Sequence, residues 1–333
     1  MTAHAAFLSP LAPIFERYVN LKRVLGRRFD TPTRTLQSLD RLLHESSRYP
    51  DLDAAAFRAW CQTHEELASG TRRGRMLDIY NFCLYRRRTE PQCFLPDPGT
   101  FPQRHQRLHP YIFAEDEVAR LLRAASNLTR PPSSPLRPEV IRLAIVLLFT
   151  TGIRRGELLR LRLGDYNRQD STLLIRESKF YKSRLLPINT GIADEIESYL
   201  RARNRHRLPV SPDVAFIWNS VQGGRAYNGP GLQMCLRPLL QQCAILNFKG
   251  KLPRIHDLRH SFAVNVLLRW YRLGAAVDAK LPLLATYLGH CSVLSTHYYL
   301  HFIEPLRTAA SKRFASHYGD LVVPLQSAKG RRR

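Results

Sequence analysis

Residues 140–153, VIRLAIVLLFTTGI, are apolar at nearly every position, with Arg142 as their single charge. A helix that is apolar all round has to be covered by lipid or by the rest of its own chain. Crossing a bilayer takes about 20 such residues, so this run is too short. It reads as a buried helix, and a core must assemble around it. No other stretch is a better membrane candidate, and no membrane partner is expected.

The chain of 333 residues is long enough for two domains, and a hydrophobic content of 44% can furnish a core in each. Lys and Arg total 51 against 27 for Asp and Glu, a formal charge of +24. A folded chain bears self-repulsion for such an excess, and a polyanionic partner explains it. Arginine far outnumbers lysine, and its planar fork suits bidentate contact with phosphate oxygens. The six cysteines include no Cys-x-x-Cys pair, and the N-terminus has no basic segment of the kind that opens a signal peptide. Disulfides are not expected. Cys61 and His64 have half of a zinc spacing, but no second half lies nearby, so no metal and no cofactor are expected.

The first hundred residues read as four helices with basic faces. Thr31-Pro32 looks like a cap and first-turn pair, and an acidic residue caps the third helix. The arginine clusters at 72–75 and 86–88 either track a phosphate backbone or are solvated helix ends. Residues 91–113, rich in proline, read as an extended linker. Helices are then expected from 114, at 138–151, at about 190–204 and 229–246, and from 255. Two strands, STLLIRES and RLLPI, flank the turn KFYKS. The stretch from 281 reads as two short helices turning near Gly289. A last helix is expected at about 305–317, before the basic KGRRR tail.

Four separated motifs follow in order through the second half. TGIRRGELLRL carries Arg154 and, three residues on, Glu157. The strand turn carries Lys179, with Lys182 as its competitor. HDLRH carries His256 and Arg259, three apart and so on one helix face. LGH carries His290, and Tyr299 follows nine residues later beside Tyr298. Adjacent helical residues point about 100° apart, so only one of the two tyrosines can reach a given atom. Opening a phosphodiester takes a nucleophile, a proton donor for the leaving oxygen, and positive charge around the transition state. A phenol, two histidines, a lysine and two arginines offer all three.

In order and spacing, this set resembles the tyrosine recombinase (phage integrase) family, over roughly residues 110–318, and most nearly its minimal, Xer-like or mobile-element members. The resemblance implies a mainly α fold with a small antiparallel β-sheet in the catalytic domain. It implies a helical DNA-binding domain at 1–105, a catalytic domain at 106–320 and a basic tail at 321–333. Arg154 and Arg259 would clamp the scissile phosphate, with Glu157 orienting Arg154. Lys179 would protonate the leaving 5′ oxygen. His256 would act as acid or base or orient the phosphate, and His290 would bond the phosphate in the transition state. Tyr299 would attack to leave a 3′-phosphotyrosyl link, with Tyr298 and Tyr287 in the core. His260 is expected to pack or cap, and Asp257 to bond locally at its helix start. The implied function is site-specific recombination of double-stranded DNA in the cytoplasm, without metal or ATP. The implied assembly is a homotetramer or a mixed tetramer with related recombinases. DNA relaxation of the type IB topoisomerase kind, or a DNA-binding accessory role without catalysis, are the alternatives.

Overall fold

The computed structural model describes residues 7–27, 29–46, 48–103, 109–176 and 183–290, together with Ser292, Thr296 and Tyr299. The chain divides into two compact units, Met1–Leu108 and His109–Arg333. The last helix and basic tail expected from the sequence lie outside the described residues, as do Lys179, Lys182 and Tyr298.

The described part of the N-terminal unit holds four α-helices: α1 (Ala12–Val24), α2 (Asp30–Glu45), α3 (Ala54–Gln62) and α4 (Ser69–Arg86). Their apolar stripes meet in one core that includes Phe15, Tyr18, Leu36, Leu39, Trp60, Ile79 and Phe82. Asp53 caps α3, its side chain accepting from the Ala56 N–H, as the sequence suggested. The expected Thr31 cap is wrong. The chain enters α2 through Phe29 in the left-handed region, φ 55°, and Asp30 opens the helix, so Thr31 and Pro32 already lie in its first turn. The Thr33 hydroxyl donates back to the Phe29 carbonyl at 2.6 Å and closes that turn.

Part of the proline-rich segment, expected to be an extended linker, packs into the fold. Phe101 is buried in the first core, with Phe94 and Leu95 packed against it, and Phe113 is buried in the second core. Arg73 further ties its Nη1 to the Pro102 carbonyl at 3.0 Å.

The C-terminal unit is built around the apolar run. α6 (Arg137–Thr151) is buried along most of its length, with α5 (Glu115–Ser126), α8 (Thr190–Arg205) and α10 (Ile255–Arg272) packed around it. The short α7 (Arg155–Leu158) follows. Then β1 (Tyr166–Asn167), β2 (Thr172–Ile175) and β3 (Arg184–Pro187) form an antiparallel sheet in that order, with Ile175 opposite Arg184. Leu173, Ile175 and Leu186 turn into the core. A second antiparallel pair, β4 (Trp218–Asn219) and β5 (Arg225–Ala226), was not foreseen, nor was β1; two-residue strands leave no alternation to read. α9 (Gly229–Gln242) stops short of the expected 246, because Ala244 turns into the left-handed region at φ 52°. α11 (Val277–Leu288) ends at Gly289, φ +69°.

Candidate active site

α6 ends at Gly152, also left-handed at φ +62°, where a side chain would run into the Phe262 ring. The turn it allows brings Arg154 to the N-cap of α7. Arg259 comes from the first turns of α10, and Arg184 opens β3. These three arginines, from separate parts of the unit, converge on the C-terminal end of α11.

The last carbonyls of a helix have no partner within it and carry the negative end of its dipole. Here three successive ones each accept from a different arginine. Tyr287 O takes the Arg184 Nε–H at 2.9 Å, Leu288 O takes Arg259 Nη2 at 2.8 Å, and Gly289 O takes Arg154 Nη2 at 2.6 Å. Gly289 must be glycine for room as well as for φ. A Cβ there would lie 2.7 Å from Arg184 Nη1 and 3.2 Å from Arg154 Nη1. The glycine of the LGH motif thus lets two guanidiniums close over the helix end.

Glu157 lies beneath them with its side chain only 2% exposed. Oε1 accepts from Arg154 Nη1 (2.8 Å) and Arg184 Nη1 (3.1 Å), while Oε2 accepts from the Arg154 backbone N–H (2.9 Å) and Arg184 Nη2 (2.9 Å). Burial alone would raise its pKa. The hydrogen bonds and charge of Arg184, then those of Arg154, outweigh burial and hold it down at about 2. Glu157, expected to orient Arg154, is in contact with it, and the carboxylate is shared with Arg184, which carried no signal in the sequence.

Arg259 is 1% exposed, and its Nη1 also donates to Gly152 O at 2.6 Å. Burial, then the Arg154 charge, lower its pKa to about 10, so it stays a cation at neutral pH. Among the described residues, three guanidiniums therefore gather around one carboxylate, which leaves the cluster positive.

Tyr299 is 3% exposed, between two imidazoles. The His290 ring lies nearly parallel, 17° and 6.1 Å away, and the His260 ring stands edge-on at 5.4 Å. His260 in turn meets His256 one helical turn back, 4.6 Å between centroids. His256 is exposed and His260 buried. His290 Nδ1 lies 2.9 Å from Thr296 Oγ1. The His260 and His290 rings are held neutral. Burial, then the His256 ring, lowers the His260 pKa to about 4. Burial, then Arg259 and Arg154, takes His290 to about 3. Asp257 bonds locally, accepting the Arg254 N–H at 2.8 Å.

The structure thus gathers Arg154, Glu157, His256, Arg259, His290 and Tyr299, and adds Arg184 and His260. His260 was expected only to pack or cap; its signal was its i,i+4 spacing from His256. Arg184 had none beyond its place at the start of a strand. Among the described residues, no three His, Cys, Asp or Glu side chains are grouped to hold a metal ion.

Residues 112–304 match the phage integrase family. The chain belongs to that family. A putative integrase/recombinase of Sinorhizobium fredii, y4rE, is 33% identical over 322 residues, covering 94% of this chain and 98% of its own. A second from the same organism, y4rB, is 30% identical over 315 residues, covering 94% and 99%. Among solved structures, the XerH site-specific recombinase bound to its palindromic difH substrate superposes with a TM-score of 0.61 at 19% identity, covering 91% of this chain and 83% of that one. The family assignment makes this integrase a tyrosine-type site-specific recombinase, mainly helical with small antiparallel sheets. No helix among its described residues is long and apolar enough to cross a membrane.

Proposed function

We propose that this recombinase cleaves and rejoins double-stranded DNA through a covalent bond between Tyr299 and a 3′ phosphate. The observation that carries the reading is the place of Tyr299, buried between His260 and His290 beside a cluster of three guanidiniums. The Tyr299 oxygen attacks phosphorus, its proton passes to a neutral imidazole or to solvent, and the P–O5′ bond breaks. Lys179 gives the leaving oxygen its proton. Arg154 and Arg259 hold the non-bridging oxygens as charge grows on them, which is where fixed cations in a low-dielectric site contribute most. His290 bonds the same phosphate, and the exposed His256 meets the substrate as acid, base or orienting group. Because the phosphotyrosyl ester keeps the bond energy, a 5′ hydroxyl can reverse the step without ATP or a metal. The N-terminal helical unit, residues 1–105 by sequence, contributes DNA binding to the 106–320 catalytic part. The protein works in the cytoplasm as a homotetramer or a mixed tetramer with related recombinases.

The test uses a duplex site selected from randomised DNA by binding to the parent protein, then nicked so that a cleaved strand diffuses away. A denaturing gel should show a covalent protein–DNA band for the parent and for Tyr298→Phe, and none for Tyr299→Phe. A band from Tyr299→Phe would move the nucleophile elsewhere. No band from any of the three would sink strand cleavage and favour a DNA-binding accessory protein.

A further inference from the structure

Arg184 has no role in the chemistry outlined above, yet it makes three hydrogen bonds inside the site, two to Glu157 and one to Tyr287 O. Its side chain is 13% exposed. A surface arginine would be solvated; this one is lodged behind Arg154, on the carboxylate that Arg154 also uses. Arg154 is the more open of the two, with its side chain 30% exposed, as suits a group that meets substrate.

We propose that Arg184 is a positioning residue for Arg154: it completes an arginine–carboxylate–arginine bridge through Glu157 and fastens that bridge to the end of α11. Two consequences follow from the geometry. The forked pair fixes the plane of the Glu157 carboxylate, and with it the direction of Arg154 Nη1. The Nε bond to Tyr287 O sets the bridge in register with Leu288 O and Gly289 O, which hold Arg259 and Arg154. Arg184 thus lets one rigid frame carry both phosphate-binding arginines, although it touches the phosphate at no stage.

The inference rests on the proposed clamp, and its test separates the two. Without Arg184, the buried Glu157 faces Arg154, through side chain and backbone N–H, with the Arg259 charge farther off. Less cationic support means that Glu157 takes up a proton at higher pH, and a neutral carboxyl aligns Arg154 poorly. The experiment measures single-turnover cleavage, at saturating concentrations of the nicked duplex that the parent cleaves, from pH 5.5 to 8.5. The proteins are the parent, Arg184→Gln, Arg184→Lys, Arg154→Ala and the Arg154→Ala/Arg184→Gln double variant. Arg184→Gln should bind DNA within a few-fold of the parent but cleave about 10- to 100-fold more slowly, with the deficit widening as pH falls. Arg184→Lys, which keeps charge but loses the fork, should recover part of the rate. The double variant should be no slower than Arg154→Ala, since the two residues act as one unit. Parental rates for Arg184→Gln, a deficit constant across pH, or losses that multiply in the double variant would each overturn the proposal. Parental cleavage by Arg154→Ala would instead remove the clamp itself. Thermal unfolding of Arg184→Gln and Glu157→Gln against pH gives a check independent of catalysis. The fall in stability below about pH 4.5 that the depressed Glu157 pKa causes should shrink in Arg184→Gln, and Glu157→Gln should remove it; an undiminished fall in Arg184→Gln overturns the bridge.

Discussion

Arg86 in the N-terminal unit and Arg259 in the C-terminal unit are both buried, but their charges are treated in opposite ways. Arg86 lies against two carboxylates, with bonds of 2.5 and 2.8 Å to Asp51 and 2.7 Å to Glu90, so its charge is more than matched. The sequence left open whether the 86–88 cluster tracks a phosphate backbone; for Arg86 the structure decides against it. Arg259 rests on the carbonyls of Gly152 and Leu288, with two further guanidiniums close by and the single carboxylate Glu157 among them. One region neutralises its cation within the fold. The other keeps cations together, against their repulsion and the cost of burial, and such an arrangement suits an anion that arrives later. Stability is compromised where an active site needs charge.

A matched pair of substitutions separates the two arginines most sharply. Arg259→Met should slow cleavage about 10²–10³-fold while Tm moves by no more than about 3 °C, because a disfavoured cation leaves along with its hydrogen bonds. A large fall in Tm would recast Arg259 as a structural strut. Arg86→Met should do the reverse. It removes the bonds to Asp51 and Glu90, whose side chains are 49% and 41% exposed and stay solvated, and costs the N-terminal unit about 1 kcal/mol, seen in denaturant unfolding, with the cleavage step unchanged. An unaltered midpoint would show that Arg86 pairing contributes nothing.

Acid should weaken the C-terminal unit. His260 and His290 bind protons near pH 4 and 3 when folded, against an ordinary value of 6.5, so the unfolded chain takes up more protons between those limits. Their contribution is complete above about pH 6.5 and is lost as pH falls. Glu157, at about 2 against 4.5, adds a loss below 4.5. Thermal unfolding from pH 8 to 4 should be flat at first and then decline below about 6.5; stability that rises on acidification would contradict the neutral histidines. Within the site, the smallest expected effect is that of Gly289→Ala. It forces a side chain into the left-handed region at a cost of about 1–2 kcal/mol and presses on Arg184 and Arg154. A modest drop in Tm should accompany a larger drop in cleavage; equal and slight effects would mean that the arginines yield freely.

What could be read from sequence had a local signature. The apolar run at 140–153 announced α6, Asp53 announced its own cap, and the order of the motifs announced Arg154, His256, Arg259, His290 and Tyr299. What could not be read arises only on folding. Arg184 looks like any residue at the start of a strand until β3 meets Glu157 and the end of α11. The row of carbonyls at 287–289 contributes through backbone, which any residue supplies, so only Gly289 in the LGH motif hinted at it. Thr31-Pro32 misled because Phe29 takes a left-handed turn that no neighbouring residue type signals. In the proline-rich stretch, composition does not tell that Phe101 and Phe113 are buried in separate cores.

Tyr299 is proposed to form the bond to DNA. That bond is tested most directly by trapping the parent on the nicked duplex, digesting the complex with trypsin and nuclease, and locating the nucleotide remnant by mass spectrometric sequencing. The remnant is expected on Tyr299. A remnant on Tyr298, or on any other side chain, would contradict it.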